Sequence, residues 1–171
     1  MTEDECKPPM EVKDLYKILL DTRNLEINLF WQRSNYFLVL NTGIAFGAFN
    51  LKDGKFSVIF AAMGFLTSLL WFWVCLGGKF WQTRWEQRLL DFERAHLPGL
   101  DFFGASPERI RADVEKGLAF HNLWWTQRFV YRLALKKPSV SYSMIRLSAL
   151  FVIGWFAFIA VTIVLAKNQI G

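Results

Sequence analysis

Three stretches of the chain are apolar and almost free of charged residues, and they cover residues 35–51, 56–78 and 144–166. As helices, the second and third stretches would each be about 34 Å long. A helix of that length crosses a hydrocarbon core of about 30 Å, so both are predicted to be transmembrane helices. The first stretch is shorter and contains Asn41 and Thr42, so alone it could also be a buried core helix. Next to two clear spans, we predict that it is a third transmembrane helix.

Amphipathic segments continue the first two apolar stretches. Residues 11–35 lead into the first stretch without a proline, which predicts one continuous helix. Residues 79–97 extend the second span, because their apolar side chains recur at helical spacing until the LPG sequence at 97–99. A further helix is predicted to begin at Ser106, which suits the N-cap, and to end at 136–138. These segments are expected to pack together as a small bundle.

Composition and charge favour a membrane protein. Apolar residues make up 53% of the chain and aromatic residues 17%, which exceeds the usual content of a soluble globular domain. Lys and Arg are concentrated before the first span and in residues 79–143, whereas few follow the third span. Because cytoplasmic loops of membrane proteins are basic, this distribution predicts a cytosolic N-terminus and an external C-terminus. Basic residues beside the bilayer are also expected to attract anionic lipids.

The predicted fold is therefore an all-α membrane protein with three transmembrane helices per protomer and a small cytosolic helical bundle. Its segments are a cytosolic N-terminal amphipathic helix, the first transmembrane helix, an external turn, the second transmembrane helix, a cytosolic helical hairpin, the third transmembrane helix and an external tail. In that order they occupy residues 1–34, 35–51, 52–55, 56–78, 79–143, 144–166 and 167–171.

A stripe of polar side chains runs along the first long helix. At 100° per residue its members fall within an arc of about 80°. They are Asp21, Asn24, Asn28, Gln32, Asn35 and Thr42. Such a stripe could form hydrogen bonds between helices, or it could line a water-filled pore. Both uses need partner helices, because three spans cannot enclose a wide pore, so a homo-oligomer is predicted.

The apolar stretches contain small residues but almost no charge. Gly43 and Gly47 stand four residues apart in the sequence GIAFG, and we expect them to allow close helix packing in lipid. No Asp, Glu or Lys occurs within the three stretches. Carriers coupled to protons or cations normally need ionisable groups at mid-membrane, so that class of protein is disfavoured.

Candidates for catalysis are limited to two histidines. His96 ends a predicted helix, where the helix dipole favours a cation. His121 lies on an apolar helix face, as either a packed histidine or a pH sensor. Because no catalytic, metal-binding or cofactor-binding motif is present in the sequence, we expect a protein that is not an enzyme and has no cofactor. The tryptophans suit an interfacial belt better than base stacking, so a nucleic-acid partner is not expected.

The run LYKILLDTRNLEINLFWQRSNYFLVLNTGIAFG at residues 15–47 resembles the RipA family of small bacterial inner-membrane proteins, which are described as octamers. The similarity extends through WFWVCLGGKFWQTRWEQRLLDFE and KKPSVSYSMIRLSALFVIGWF. The family is more distantly similar to the CRISPR-associated membrane protein of type VI-B systems, which forms an octameric pore. The ribonuclease-like Arg-x4-His motif proposed for that relative is not found here, because Asp91 precedes His96 and Lys116 precedes His121 by five residues.

The resemblance implies a bacterial inner-membrane protein that forms a ring-shaped homo-octamer. Together with the polar stripe, it leads us to expect a pore or gated channel that acts in stress or antiviral defence. The alternative is a membrane scaffold that does not conduct ions and recruits a cytosolic protein partner through residues 79–143, with Arg84 and Arg88 exposed for that contact.

Overall fold

The computed structural model describes residues 11–50, 54–100, 102–118 and 139–168, and every regular element within these ranges is an α-helix. The helices are α1 (Val12–Asn50), α2 (Gly54–His96), α3 (Pro107–Leu118) and α4 (Val140–Asn168). For the described residues, the predicted all-α class is therefore confirmed.

The ends of the helices agree with local sequence signals. α1 is one uninterrupted helix of 39 residues, as the absence of proline predicts. α2 continues for 43 residues and ends at the LPG sequence, where Gly99 has a φ of 108° that favours glycine. α3 begins directly after Ser106, whose Oγ accepts a hydrogen bond from the Arg109 N–H at 3.2 Å. The rest of the helix predicted to reach 136–138 lies outside the described residues.

Two of the described helices are long and apolar enough to cross a membrane, Phe56–His96 and Val140–Leu165. Within the described chain α1 is not among them, because the amide side chains in its central part lower its hydropathy. The third transmembrane helix therefore stays a prediction.

The chain divides into two compact units. The amphipathic unit comprises Met1–Ile27 and Trp81–Asn122, and the apolar unit comprises Asn28–Phe80 and Leu123–Gly171. α1 and α2 contribute to both units, and α4 belongs to the apolar unit.

The described part of the apolar unit is a bundle of three helices with a seven-residue periodicity. Its buried residues recur at intervals of three and four residues or at their sum, which is typical of left-handed helix packing. On α1 they are Phe30, Ser34, Asn41, Ile44 and Ala48, and on α2 they are Ser57, Ala61, Gly64, Ser68, Trp71, Cys75 and Gly78. The pairs formed across the bundle show that α2 is antiparallel to both α1 and α4.

Aromatic rings of the apolar unit pack directly on glycines of α2. The Phe30 ring of α1 lies over Gly78, where an added Cβ would come within 2.6 Å of the ring. The Trp155 indole of α4 lies over Gly64 at still closer range. Any larger residue would displace these rings, so both positions need glycine for close helix approach.

The described part of the amphipathic unit combines the start of α1, the end of α2 and residues 102–118. Leu89 and Glu93 of α2 are among its most buried side chains. Tyr16 of α1 stacks on Phe92 of α2, with ring centroids 6.0 Å apart. Phe92, one of the apolar side chains at helical spacing in α2, therefore faces the start of α1.

Candidate functional site

A buried amide joins the three helices of the apolar unit. The side-chain oxygen of Asn41 on α1 accepts hydrogen bonds from Ser68 Oγ of α2 at 2.7 Å and from Trp155 Nε1 of α4 at 3.1 Å. Its amide nitrogen donates to the Phe37 carbonyl at 2.9 Å. Asn41 and Ser68 are both fully buried. One side chain thus satisfies donors from two other helices in apolar surroundings, where an unpaired polar group costs about 1–3 kcal/mol.

Two further polar contacts lie one heptad on either side of Asn41. Ser34 Oγ is 4.0 Å from Cys75 Sγ, and Ser57 Oγ donates a hydrogen bond to the Ala48 carbonyl at 3.2 Å. The three positions on α1 share one face, because seven residues make almost two helical turns. Contacts at this spacing determine which residues of α1 face those of α2.

Sequence analysis noted Asn41 only as a polar residue in a short span and assigned it to no site. A signal for its burial was nevertheless present, since Asn41 is four residues after Phe37 and three before Ile44. Those positions define the apolar face of α1, on the other side of the helix from the polar stripe.

The exposed face of α1 carries the predicted polar stripe. Within the apolar unit its members are Asn28, Gln32, Asn35 and Thr42, and all four are exposed. At 100° per residue, their centre lies about 150° from the centre of the buried face. Thr42 Oγ1 donates to the Leu38 carbonyl of its own helix at 2.8 Å. The three amide side chains bond to nothing else in the described part of the protomer, so their hydrogen-bonding groups are available to water or to another copy.

The two remaining members of the stripe lie in the amphipathic unit. Asp21 and Asn24 are both exposed, and Asn24 Oδ1 is 3.5 Å from Arg23 Nη1. All six predicted pore-lining residues are thus on the surface of the protomer.

The two glycines of GIAFG have different surroundings. The Phe60 ring of α2 packs on Gly47, so this glycine allows a close contact inside the protomer. At Gly43 no described atom lies within 4 Å of the position that a Cβ would take. Of these two glycines, only Gly47 is at a packed position within the described part of one protomer.

The exposed face of α1 becomes apolar beyond the stripe. Val39 and Phe46 lie in line with Asn28 on that face, and each is 72% exposed. Among the described residues that follow Trp31 in the sequence, Phe46 has the largest side chain on this line. The face therefore changes from amides to a bulky aromatic ring over about five helical turns.

A buried carboxyl group organises the amphipathic unit. Glu93 is 1% exposed, and its Oε1 accepts a hydrogen bond from Tyr16 OH at 2.8 Å. Its Oε2 accepts from the backbone N–H of Phe103 at 3.0 Å. Burial of the phenol, followed by the hydrogen bond to Glu93 and the charge of Glu93, raises the pKa of Tyr16 to about 12. Sequence analysis missed this pair, because the two residues are 77 positions apart.

The histidines and acids form no recognisable catalytic site in the described chain. His96 is exposed at the end of α2, its Nδ1 is 3.3 Å from the Phe92 carbonyl oxygen, and its ring stacks on Phe92. His121, for which the sequence left a packed histidine and a pH sensor as alternatives, lies outside the described residues. Among the described side chains, no group of three or more His, Cys, Asp or Glu could hold a metal ion.

The sequence model of the octameric membrane protein family (8xMP) matches residues 13–164, which is most of the chain. Comparison with curated proteins and with solved structures gave no significant match. The family match confirms the octamer and membrane parts of the resemblance. The RipA name and the relation to the CRISPR-associated protein stay predictions.

The Asn41 contacts generate a prediction about stability. Replacing Asn41 with leucine leaves the Ser68 hydroxyl and the Trp155 N–H without an acceptor, and should destabilise the protein by about 1–3 kcal/mol. In a double-mutant cycle with Trp155→Phe, we expect a coupling energy of about 0.6–1.7 kcal/mol. The measurement is reversible unfolding in mixed detergent micelles. Thr42→Val is the matched control, since it removes a hydroxyl bonded only within α1, and a coupling energy indistinguishable from zero would contradict the prediction.

The Tyr16–Glu93 hydrogen bond generates a prediction about pH. The pKa of Tyr16 is raised from its usual value of about 10 to about 12. The protonated phenol therefore stabilises the folded protein fully below about pH 10. The effect should be lost as the pH rises towards 12. Over this pH range, the free energy of unfolding of the wild-type protein should therefore fall more steeply than that of Tyr16→Phe.

The charge of Glu93 provides the control for this experiment. Glu93→Gln retains an acceptor for the phenol and removes the negative charge, so the pKa of Tyr16 should fall. Tyrosinate absorbance, taken as the difference from Tyr16→Phe, measures that pKa. A difference spectrum that titrates near pH 10 in the wild-type protein would contradict the assignment.

Proposed function

The chain belongs to the octameric membrane protein family (8xMP), and on that premise we propose that eight copies form a ring around a pore or gated channel. In this proposal the exposed face of α1 lines the passage, and residues 35–50 of α1 form the third transmembrane helix. The protein is not an enzyme, and its partners are other copies of itself and the lipids of the bilayer.

The observation that carries the proposal is the position of the amide stripe. Asn28, Gln32 and Asn35 are exposed on the side of α1 that faces away from α2 and α4. Asn35 begins the proposed span, and in contact with lipid its amide would lose its hydrogen bonds to water without replacement, whereas Asn28 and Gln32 extend the same polar face on the cytosolic side. A water-filled passage shared by eight copies restores those bonds and gives an uncharged lining suited to weakly selective ion flow.

Phe46 supplies a gate in this proposal. Eight Phe46 rings at one level would form an apolar constriction, and such constrictions block ions by excluding water. The gate lies towards the far end of α1 from Asn28, so the passage would be hydrated on one side of the constriction. The combination of a polar lining and one aromatic ring of residues favours a channel that is closed at rest.

The location follows from the distribution of charge. We place the protein in a bacterial inner membrane with the N-terminus and the amphipathic unit in the cytosol and the C-terminus in the periplasm. Lys79 Nζ lies 5.6 Å from the centroid of the Tyr142 ring, and such a pair suits the headgroup region with its anionic lipids. A role in stress or antiviral defence is suggested by the resemblance to the RipA family and its CRISPR-associated relative.

A groove in the amphipathic unit favours a second candidate function, a scaffold that does not conduct ions. The groove has a volume of about 410 Å³, and apolar side chains of α1 and α2 line it. Arg88, Asp91 and His96 add polar groups around it. A cytosolic protein partner could dock there, as expected for residues 79–143, with Arg84 exposed on the same helix.

The lining is tested by making it apolar. In an octamer opened by Phe46→Ser, Asn28→Leu combined with Gln32→Leu should lower ion conductance in liposomes by about tenfold, equivalent to a permeation barrier higher by about 1.4 kcal/mol. The substituted protein should still be an octamer by native mass measurement. The matched control is Ile163→Ala on the exposed apolar face of α4, which should leave conductance unchanged. Equal conductance of the opened octamers with and without the double substitution would exclude α1 as the lining.

The gate is tested by making it polar. Phe46→Ser should raise the resting conductance by about tenfold or more, because the smaller hydroxyl side chain wets the constriction. Phe156→Ser, on the exposed face of α4, is the matched control and should have a smaller effect. If wild-type, Phe46→Ser and Phe156→Ser octamers are all impermeable to ions, the scaffold is the better interpretation.

A further inference from the structure

The apolar unit has a groove on its outer surface between α1 and α4. Its volume is about 390 Å³, and no residue of α2 lines it. The lining side chains are all apolar apart from the indole nitrogen of Trp155, which is already bonded to Asn41. The lining residues are Ala45 and Phe49 on α1 with Leu147, Leu150, Phe151, Gly154, Trp155 and Phe158 on α4.

The floor of the groove is open enough for another helix. Gly154 has no atom within 4 Å of the position that a Cβ would take, so the α4 backbone is accessible there. Small residues at such positions allow helices to approach closely in lipid, where packing rather than hydrophobicity drives association.

Membrane depth restricts what can fill the groove. If eight copies surround an axis along the membrane normal, each residue keeps its depth from one copy to the next. Trp155 lies on Gly64, and the rings of Phe151 and Trp71 have centroids 5.6 Å apart. The groove is therefore level with about residues 60–72 of α2, and an occupant supplied by another copy must come from that level.

The outward face of α2 has suitable side chains at that depth. Met63, Leu66, Leu70 and Trp73 recur at intervals of three and four residues, and between 50% and 63% of each is exposed. This face points away from α4, because the α2 residues that contact α4, such as Gly64 and Trp71, lie on the other side of the helix.

We propose that the outward face of α2 in one copy packs into the α1–α4 groove of the next copy. The two surfaces differ, so the contact is heterologous and closes into a ring when repeated eight times. It places α1 on the inside, while α2 and α4 alternate on the outside with apolar surfaces towards lipid. The inference rests on the octameric ring of the proposed function but does not depend on ion conduction.

Disulfide cross-linking of the full-length octamer tests this contact. In a Cys6→Ser background, Leu66→Cys and Gly154→Cys are introduced into the same chain, and the octamer in liposomes is oxidised after its mass has been confirmed. The two new cysteines lie on opposite sides of one protomer, so only a bond between copies can form. We expect a ladder of covalent species up to the octamer on a denaturing gel, removed by reductant.

Matched variants distinguish this contact from random collision. Ile59→Cys with Gly154→Cys should give no ladder, because Ile59 lies on the same exposed face of α2 about 10 Å from the level of Leu66. The background protein retains buried Cys75 and serves as the blank. Leu70→Cys with Leu150→Cys repeats the test at the next level without altering Gly154.

The outcomes separate the interface from the pore. If the Leu66→Cys/Gly154→Cys octamer or the Leu70→Cys/Leu150→Cys octamer stays monomeric on the gel, the proposal is overturned, and this is also the result expected if lipid fills the groove. Cross-linking of Leu66→Cys alone or Gly154→Cys alone would indicate a symmetric contact and would overturn it too. A full ladder in a ring that stays impermeable to ions after Phe46→Ser would support the interface and count against the channel, whereas a conducting ring without a ladder would do the reverse.

Discussion

The packing of the apolar unit depends on a constraint that applies to any helix bundle in lipid: a buried polar group is costly unless it finds a partner inside the protein. Asn41 satisfies this constraint for three helices at once, because its oxygen accepts from Ser68 and Trp155. The bond also places the Trp155 indole over Gly64, where a larger residue would prevent the contact. The hydrogen bond and the aromatic packing therefore stabilise the same relative position of the helices.

The orientation of α1 determines what the protein presents to its surroundings. Because Asn41 must face inward, helical geometry turns Asn28, Gln32 and Asn35 outward. A rotation of α1 by one residue, about 100°, would bury amides without partners and expose Asn41. The inner packing and the outer stripe are thus two consequences of one helix orientation. The contacts that hold Asn41 inward are sufficient to keep the stripe on the outside.

Features governed by local chemistry could be predicted from the sequence. The unbroken α1, the end of α2 at the LPG sequence and the cap at Ser106 each depend on neighbouring residues only. The hydrogen bonds of Asn41 could not be predicted, because their partners are 27 and 114 residues away and an asparagine in a span could equally face another copy. The same holds for Glu93, because its partners Tyr16 and Phe103 are 77 and 10 residues away. The amide stripe could be predicted, because its periodicity lies within a single helix and requires no knowledge of the other helices.

Packing distances relate the proposed interface to the proposed passage. In a ring of eight α1 helices about 10 Å apart, each helix axis is about 13 Å from the centre. Placing α2 and α4 about 8 Å further out gives sixteen outer helices about 8 Å apart, so both rings are within the usual range of helix packing. A helix with its side chains has a radius of about 5–6 Å, which leaves a passage about 15 Å wide at the amide level. In this proposed ring the larger Phe46 side chain would extend further towards the axis than the asparagine side chains, so the proposed constriction lies at that level.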